Sequence, residues 1–308
     1  MSESYWQSVV SAGMHVPHDR PLDESTMELV EMLGSPSPRL RDDLAYPLLA
    51  TWIAAGEYDH VLTGLGNGIA PGLRTGLGSD GDVSVLRRSF SALLLSEIVT
   101  RDNNETLVPP DTVMAWGDLT TSWYVRERDL RGWVPGQGWA HAVAHGADLI
   151  GTFARSRHFG RLELTVLLDV TADRLLLPTD YAWRHGEEDR LAYSTMAILQ
   201  RGELGFGILE PWLARVASGT RPPQTRGSVP GEWPTASAHN TSAYLRSLHI
   251  QLALGVQGRP DQRDDVDLFR GRPPHRSDLL LSVLDAIRAE SPWLFQSSTG
   301  RRTVPTAT

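Results

Sequence analysis

The sequence predicts an all-α fold: antiparallel helical hairpins stacked into an irregular α-solenoid of the HEAT or armadillo kind, curled into one compact domain. Three observations predict it. Apolar residues recur at helical spacing in one segment after another. Short turns carrying Gly or Pro separate those segments. No segment alternates convincingly as a strand. Because no strict repeat is visible, a helical toroid is the alternative arrangement.

Residues 1–20 are polar and aperiodic and are expected to form a flexible N-terminal arm. Residues 21–295 form the helical domain, and residues 296–308 are expected to be a disordered tail. Within the domain, Leu29, Val30 and Met32 belong to a short helix that ends at Gly34. Leu40, Leu44, Leu48, Leu49, Trp52 and Ile53 form a strong amphipathic pattern ending at Gly56. The glycine-rich stretch from Gly64 to Asp82 is expected to be a flexible loop, since the poor strand character of Val61 and Leu62 weakens a phosphate-cradling reading.

Helices follow over Ser84–Thr100, with Leu86, Phe90, Leu93, Leu94 and Ile98 inward, and after Pro109–Pro110, where Asp111 is a candidate cap. A tight loop at Arg128–Gly138 leads into a helix that runs to about Arg157. Leu162–Leu177, Glu187–Gln200, Leu204–Ala217, Ala238–Val256 and Leu279–Ile287 complete the helical pattern. Ser218–Ser237 reads as a linker laid over the surface, because it carries Trp233 among its Pro, Gly, Ser and Thr residues.

Composition narrows the chemistry. With 41% hydrophobic and 21% charged residues, the 308-residue chain has an ordinary globular balance. It contains no cysteine, which excludes thiol nucleophiles, Cys-ligated zinc, iron–sulfur clusters and disulfides. It also contains no lysine, all 29 basic residues being arginine, which excludes a Schiff base and covalent pyridoxal phosphate. The formal charge of −8 argues against nucleic acid as a partner. No apolar run reaches the roughly 18 residues of a membrane span, and the N-terminus lacks signal-peptide features; a cytoplasmic location is expected.

The chemically richest block is Q-G-W-A-H-A-V-A-H-G-A-D, Gln137 to Asp148. On a continuous helix it places His141, His145 and Asp148 at i, i+4 and i+7, one stripe of metal-capable groups. Beside them, Ala140, Ala144, Ala147 and Gly151 form a ridge that admits a neighbouring helix closely. Two neutral imidazoles one turn apart can share a divalent ion such as zinc, iron or manganese, with a further ligand from another helix. The Glu of H-E-x-x-H is missing, so a general base must come from elsewhere; Asp129, Glu188 and Asp189 are the candidate catalytic acids, and any one of Glu187, Glu188 or Asp189 is a candidate for the missing ligand or base. The bland alternative is a pair of histidines satisfied by nearby acids or backbone.

Alternation of helix direction sorts the loops onto two rims. It places the starts of the helices at Ser84, Gly138, Glu187 and Ala238 together, with Arg131, Trp133, Trp139, Arg190, Asn240 and Tyr244 as candidate substrate-binding residues there. Each has an ordinary structural alternative: helix-terminal charge, ion pairing, capping or packing. No G-x-S-x-G elbow, H-x-H pair or glycosidase-like acidic pair is present.

The block E-R-D-L-R-G-W-V-P-G-Q-G-W-A-H-A-V-A-H-G-A-D-L resembles the signature of a bacterial family known as a domain of unknown function. R-D-D-L-A-Y, R-R-S-F-S-A-L-L-L, E-E-D-R-L-A-Y and N-T-S-A-Y-L-R-S-L extend the resemblance over roughly Arg41 to Leu254. The resemblance implies a cytoplasmic all-helical protein and supplies no activity. The leading functional expectation is therefore a small-molecule enzyme hydrolysing its substrate with a metal held by His141 and His145. The alternatives are a helical scaffold that binds a peptide or protein and a metal-free acid–base cyclase or isomerase.

Overall fold

The computed structural model describes residues 3–221, 234–291 and 294–295, and it is all-α. The helices are α1 (Glu3–Ser11), α2 (Leu22–Met32), α3 (Tyr46–Ala55), α4 (Leu62–Ile69), α5 (Ser84–Glu105), α6 (Pro110–Arg126) and α7 (Ala142–Arg155). They continue with α8 (Arg161–Leu176), α9 (Glu187–Gln200), α10 (Phe206–Ser218), α11 (Ala236–Leu254), α12 (Asp265–Leu268) and α13 (Arg276–Glu290). Between α6 and α7 lies a small antiparallel hairpin of β1 (Trp133–Val134) and β2 (Gly138–Trp139), with Trp133 opposite Trp139. No helix among the described residues is long and apolar enough to cross a membrane.

Alternate helices pack on one another. One layer runs α3, α5, α7, α9, α11, α13, each against the next, and α6, α8 and α10 form a second layer beside it. The centre of the first layer is α7, where only Asp148 and Arg155 escape full burial between Ala142 and Arg155. Small residues make that possible. A Cβ on Gly146 would lie 2.3 Å from Tyr124 Cε2, and one on Gly151 3.3 Å from the Ser194 backbone, so both neighbours approach the α7 backbone directly. Gly146→Ala would gain about 1 kcal/mol of helix propensity. It would also overpack the α6–α7 contact at about 1–3 kcal/mol, so a net lowering of Tm is expected in thermal denaturation. An unchanged or raised Tm would show that α6 can retreat without cost.

Several elements differ from expectation. The segment read as an N-terminal arm is helical at Glu3–Ser11 and sends Trp6, 1% exposed, into the core, where its indole donates to Glu28. One buried tryptophan outweighs the polar character of its neighbours. The first half of the glycine-rich stretch forms α4 and a 3₁₀ turn at Ala70–Arg74 rather than a loop, while residues 75–83 carry only turns and bends. Two of its glycines are contact points: a Cβ on Gly66 would strike Trp116 at 2.2 Å, and one on Gly72 the Ser91 hydroxyl at 2.1 Å. The amphipathic pattern from Leu40 to Ile53 is divided between a π-helical turn at Arg39–Ala45 and α3. That turn carries Arg41 inward, where its guanidinium donates to the carbonyls of Ser35 (2.7 Å) and Gln137 (2.6 Å) and lies over the Phe90 ring. The hairpin and the N-terminal helices are thereby tied together. The expected surface course of Trp233 and the tail at 296–308 fall outside the described residues.

Candidate metal centre

The approach to α7 is built by buried charges. Asp129, fully buried, accepts from Arg131 Nε (2.8 Å) and Nη2 (2.6 Å) and from the Gly81 amide (3.1 Å). This clamp fixes the segment leading into the hairpin. The His141 amide donates to the Arg131 carbonyl (3.0 Å) and the Ala140 amide to that of Gly132 (2.8 Å), so the pairing continues past β2. His141 is then the N-cap of α7, in the left-handed region at φ +50°. It is therefore not on the helical stripe that its spacing from His145 predicts. A non-glycine residue at positive φ is strained, and here the imidazole leaves the α7 stripe for Glu187 while its ring keeps an edge-on contact with His145, centroids 5.8 Å apart.

The second half of the site comes from the turn into α9. Gly186, at φ +81°, is its N-cap, and the buried Glu187 is its first residue. Glu187 Oε2 accepts the His185 amide (2.8 Å). The other oxygen, Oε1, lies 3.7 Å from His141 Nε2 and 3.7 Å from His185 Nδ1. These separations are too long for hydrogen bonds. All three ligand atoms lie within 4.8 Å of one another, and this His141–His185–Glu187 group could hold a metal ion. With bonds of about 2.0–2.1 Å to N and O, ligands around a tetrahedral ion stand about 3.4 Å apart, so closure requires only a small contraction.

His141 Nε2 is buried without any hydrogen-bond partner. Burial, followed by the charges of Arg190 and His185, lowers the His141 pKa to about 4, so the ring is neutral at neutral pH and its lone pair is free to coordinate. Trp139 stacks on that ring at 4.3 Å and meets His185 edge-on at 5.4 Å, fixing both orientations. Gly132 passes directly behind: a Cβ there would lie 2.2 Å from His185 Nδ1 and 2.9 Å from Glu187 Oε1.

A pocket of about 330 Å³ opens beside the group, with Tyr46, Phe90, Trp139, His141, His145 and Arg190 among its walls. His145 Nδ1 is 2.8 Å from the Ser89 hydroxyl, and Phe90 packs edge-on at 5.3 Å. Burial, first, and then the Arg190 charge push the His145 pKa well below its ordinary value. At the far wall Tyr46 donates to Glu97 (2.9 Å), whose pKa burial raises.

The remaining sequence candidates take other places. Asp148 is paired with Arg190, so both charges are answered and neither joins the metal-capable group. Asp189 is exposed and accepts from Ser247 (2.5 Å). Glu188 is half-buried, with one carboxylate oxygen lacking a partner. Asn240 holds the Trp183 amide (2.8 Å) and the Tyr181 carbonyl (2.9 Å), a structural clamp. Tyr244 is fully buried and bonded to Thr195 (2.8 Å), facing the core. Trp133 is half-exposed and packs edge-on against Trp139. His185 was not among the sequence candidates; the only local signal was its H-x-E spacing to Glu187.

One pH dependence follows for the metal-free protein. A histidine whose folded pKa is depressed binds protons better when unfolded, so stability falls as pH drops from the unfolded value near 6.5 toward about 4. The depressed pKa values of His141 and His145 both contribute. Denaturant unfolding of His141→Gln across that range is expected to show a shallower slope than wild type, and an identical slope would refute the assignment.

Comparison with known proteins gives a family but no activity. No curated protein and no solved structure matches the chain. A family model described as "Protein of unknown function (DUF2785)" matches residues 73–250, a span that contains the hairpin and all three metal-capable residues. Since the match covers more than half of the chain, this protein belongs to the DUF2785 family.

Proposed function

We propose that the protein is a small-molecule hydrolase whose divalent metal is held by His141, His185 and Glu187. The observation that carries the reading is the orphaned His141 Nε2, buried and without a partner, facing a carboxylate oxygen 3.7 Å away that His185 also faces. A cation between them satisfies three groups at once. Three protein ligands leave a position open, which is the pattern of catalytic sites rather than structural ones. The metal would lower the pKa of a bound water to near 7.

The chain's own residues supply the rest. His141 coordinates without first losing a proton, because it is already neutral above about pH 4. The Glu187 backbone position at the head of α9 and its bond from the His185 amide preset the carboxylate. His145 lines the adjoining pocket with Nδ1 2.8 Å from the Ser89 hydroxyl, and in the tautomer whose Nδ1 donates to that hydroxyl its Nε2 is the acceptor that would serve as general base. Trp139, Phe90 and Tyr46 present aromatic surface to the apolar part of a substrate small enough for about 330 Å³.

Elemental analysis of protein carrying no histidine tag tests the reading. Near-stoichiometric zinc, iron or manganese in wild type, lost in His141→Ala/His185→Ala, is expected. Folded wild-type protein that holds no metal after incubation with each ion would defeat it. The Ser89–His145 pair would then favour the metal-free acid–base reading.

A further inference from the structure

A second cavity, of about 1010 Å³, shares no lining residue with the pocket beside the metal-capable group. Its walls are the 77–80 turn, the end of α6 with residues 127–130, and the end of α8 with the turn that follows. Arg174 of α8 lies in that wall, 4% exposed. Its Nη1 donates to the carbonyls of Tyr124 (3.0 Å) and Glu127 (2.7 Å), closing the C-terminal end of α6. Nε is buried with no hydrogen-bond partner, and among the described residues Nη2 has none either.

No carboxylate pairs with Arg174 among the described residues. The obvious one, Glu127, is fully committed: its two oxygens accept from Arg88 Nε and Nη2, the Trp123 indole and the amides of Arg128 and Asp129. Arg174 is thus a buried cation whose hydrogen bonds go only to two carbonyls, with the Nε–Nη2 edge unused. That edge is the fork that receives a carboxylate in bidentate fashion. Leaving such a charge uncompensated in the interior is costly, and an anion in the cavity relieves it.

The other walls narrow the ligand. Arg126 and Arg128 are exposed cations, and Asp80 and Asp180 exposed anions. With Glu127 cancelled by Arg88, three positive charges face two negative ones, an excess suited to a single negative charge. A doubly charged phosphate would meet Asp80 and Asp180. The same carboxylates, with the Thr179 hydroxyl, accept hydrogen bonds from hydroxyl groups. We propose that this cavity binds a hydroxylated organic monocarboxylate, its carboxylate seated on the Arg174 guanidinium.

Calorimetric titration with gluconate, sorbitol and glucose 6-phosphate tests this, with EDTA present so that no metal takes part. Gluconate is expected to bind at least about tenfold more tightly than either of the others, and Arg174→Lys, which keeps the charge but loses the fork, to weaken it by about tenfold or more. If Arg174→Lys does not fold, Arg128→Glu at the exposed rim is read instead, with a loss of about threefold or more expected from charge reversal. Equal affinity for sorbitol, tighter binding of the phosphate, no gluconate binding at ~20 mM, or an unchanged gluconate affinity in the folded variant would each overturn the proposal.

Discussion

Glu127→Ala is expected to destabilise the fold by about 3–5 kcal/mol, because it strands the Arg88 guanidinium in the interior. Both partners are buried, at 0% and 2% side-chain exposure, and the carboxylate accepts five hydrogen bonds. Arg88 further donates through Nη1 to the Thr75 and Gly76 carbonyls and the Ser84 hydroxyl, so the pair joins the glycine-rich turn, α5 and the segment leading to the hairpin. The pair itself contributes less than its disruption costs, since desolvation of both charges offsets much of their attraction. Arg88→Met/Glu127→Met is therefore expected to lose less stability than Glu127→Ala alone. Denaturant unfolding measures both, and a Glu127→Ala loss under about 1 kcal/mol would contradict the interior role.

Glu187→Ala is expected to lower zinc affinity by about 100-fold or more while leaving the helical content intact. The side chain supplies the only carboxylate of the group, and without it two imidazoles remain, one of them on an exposed turn. Gly132→Ala makes an independent prediction without replacing a ligand residue. Its new Cβ would enter the space of His185 Nδ1, 2.2 Å away, and the Glu187 oxygen. The turn carrying His185 must move, so zinc affinity is expected to fall by about tenfold or more with little change in circular dichroism. Unaltered affinity in either variant, measured by titration against a competing chelator, would exclude the group as a metal site.

The helices were legible because their signals are local. Glycine or proline punctuation and the apolar period predict a start for α5 at Ser84 and for α9 at Glu187, where both begin. Helix alternation also brings the starts of α7 and α9 to one rim, and there His141 faces Glu187. Other features depend on what sits opposite. Gly66 and Gly72 look like flexibility in sequence, and only Trp116 and Ser91, far along the chain, explain why a side chain is absent. Nothing in A-H-A-V-A-H marks His141 as a cap, since it lacks the hydroxyl or carboxyl chemistry usual there. Its left-handed backbone comes from the hairpin pairing that precedes it, a tertiary constraint. His185 and Glu187 reach it from a separate turn, and a spacing rule confined to one helix cannot find them.

The most direct test of the central claim is a zinc titration of wild type, His185→Ala and His145→Ala. If His141 shares its ion with His185 and Glu187, His185→Ala weakens binding by about 100-fold while His145→Ala, whose ring is held by Ser89, changes it by less than about tenfold. The reverse order would place the ion on the His141–His145 pair, and equal affinities in all three proteins would remove the metal from this site altogether.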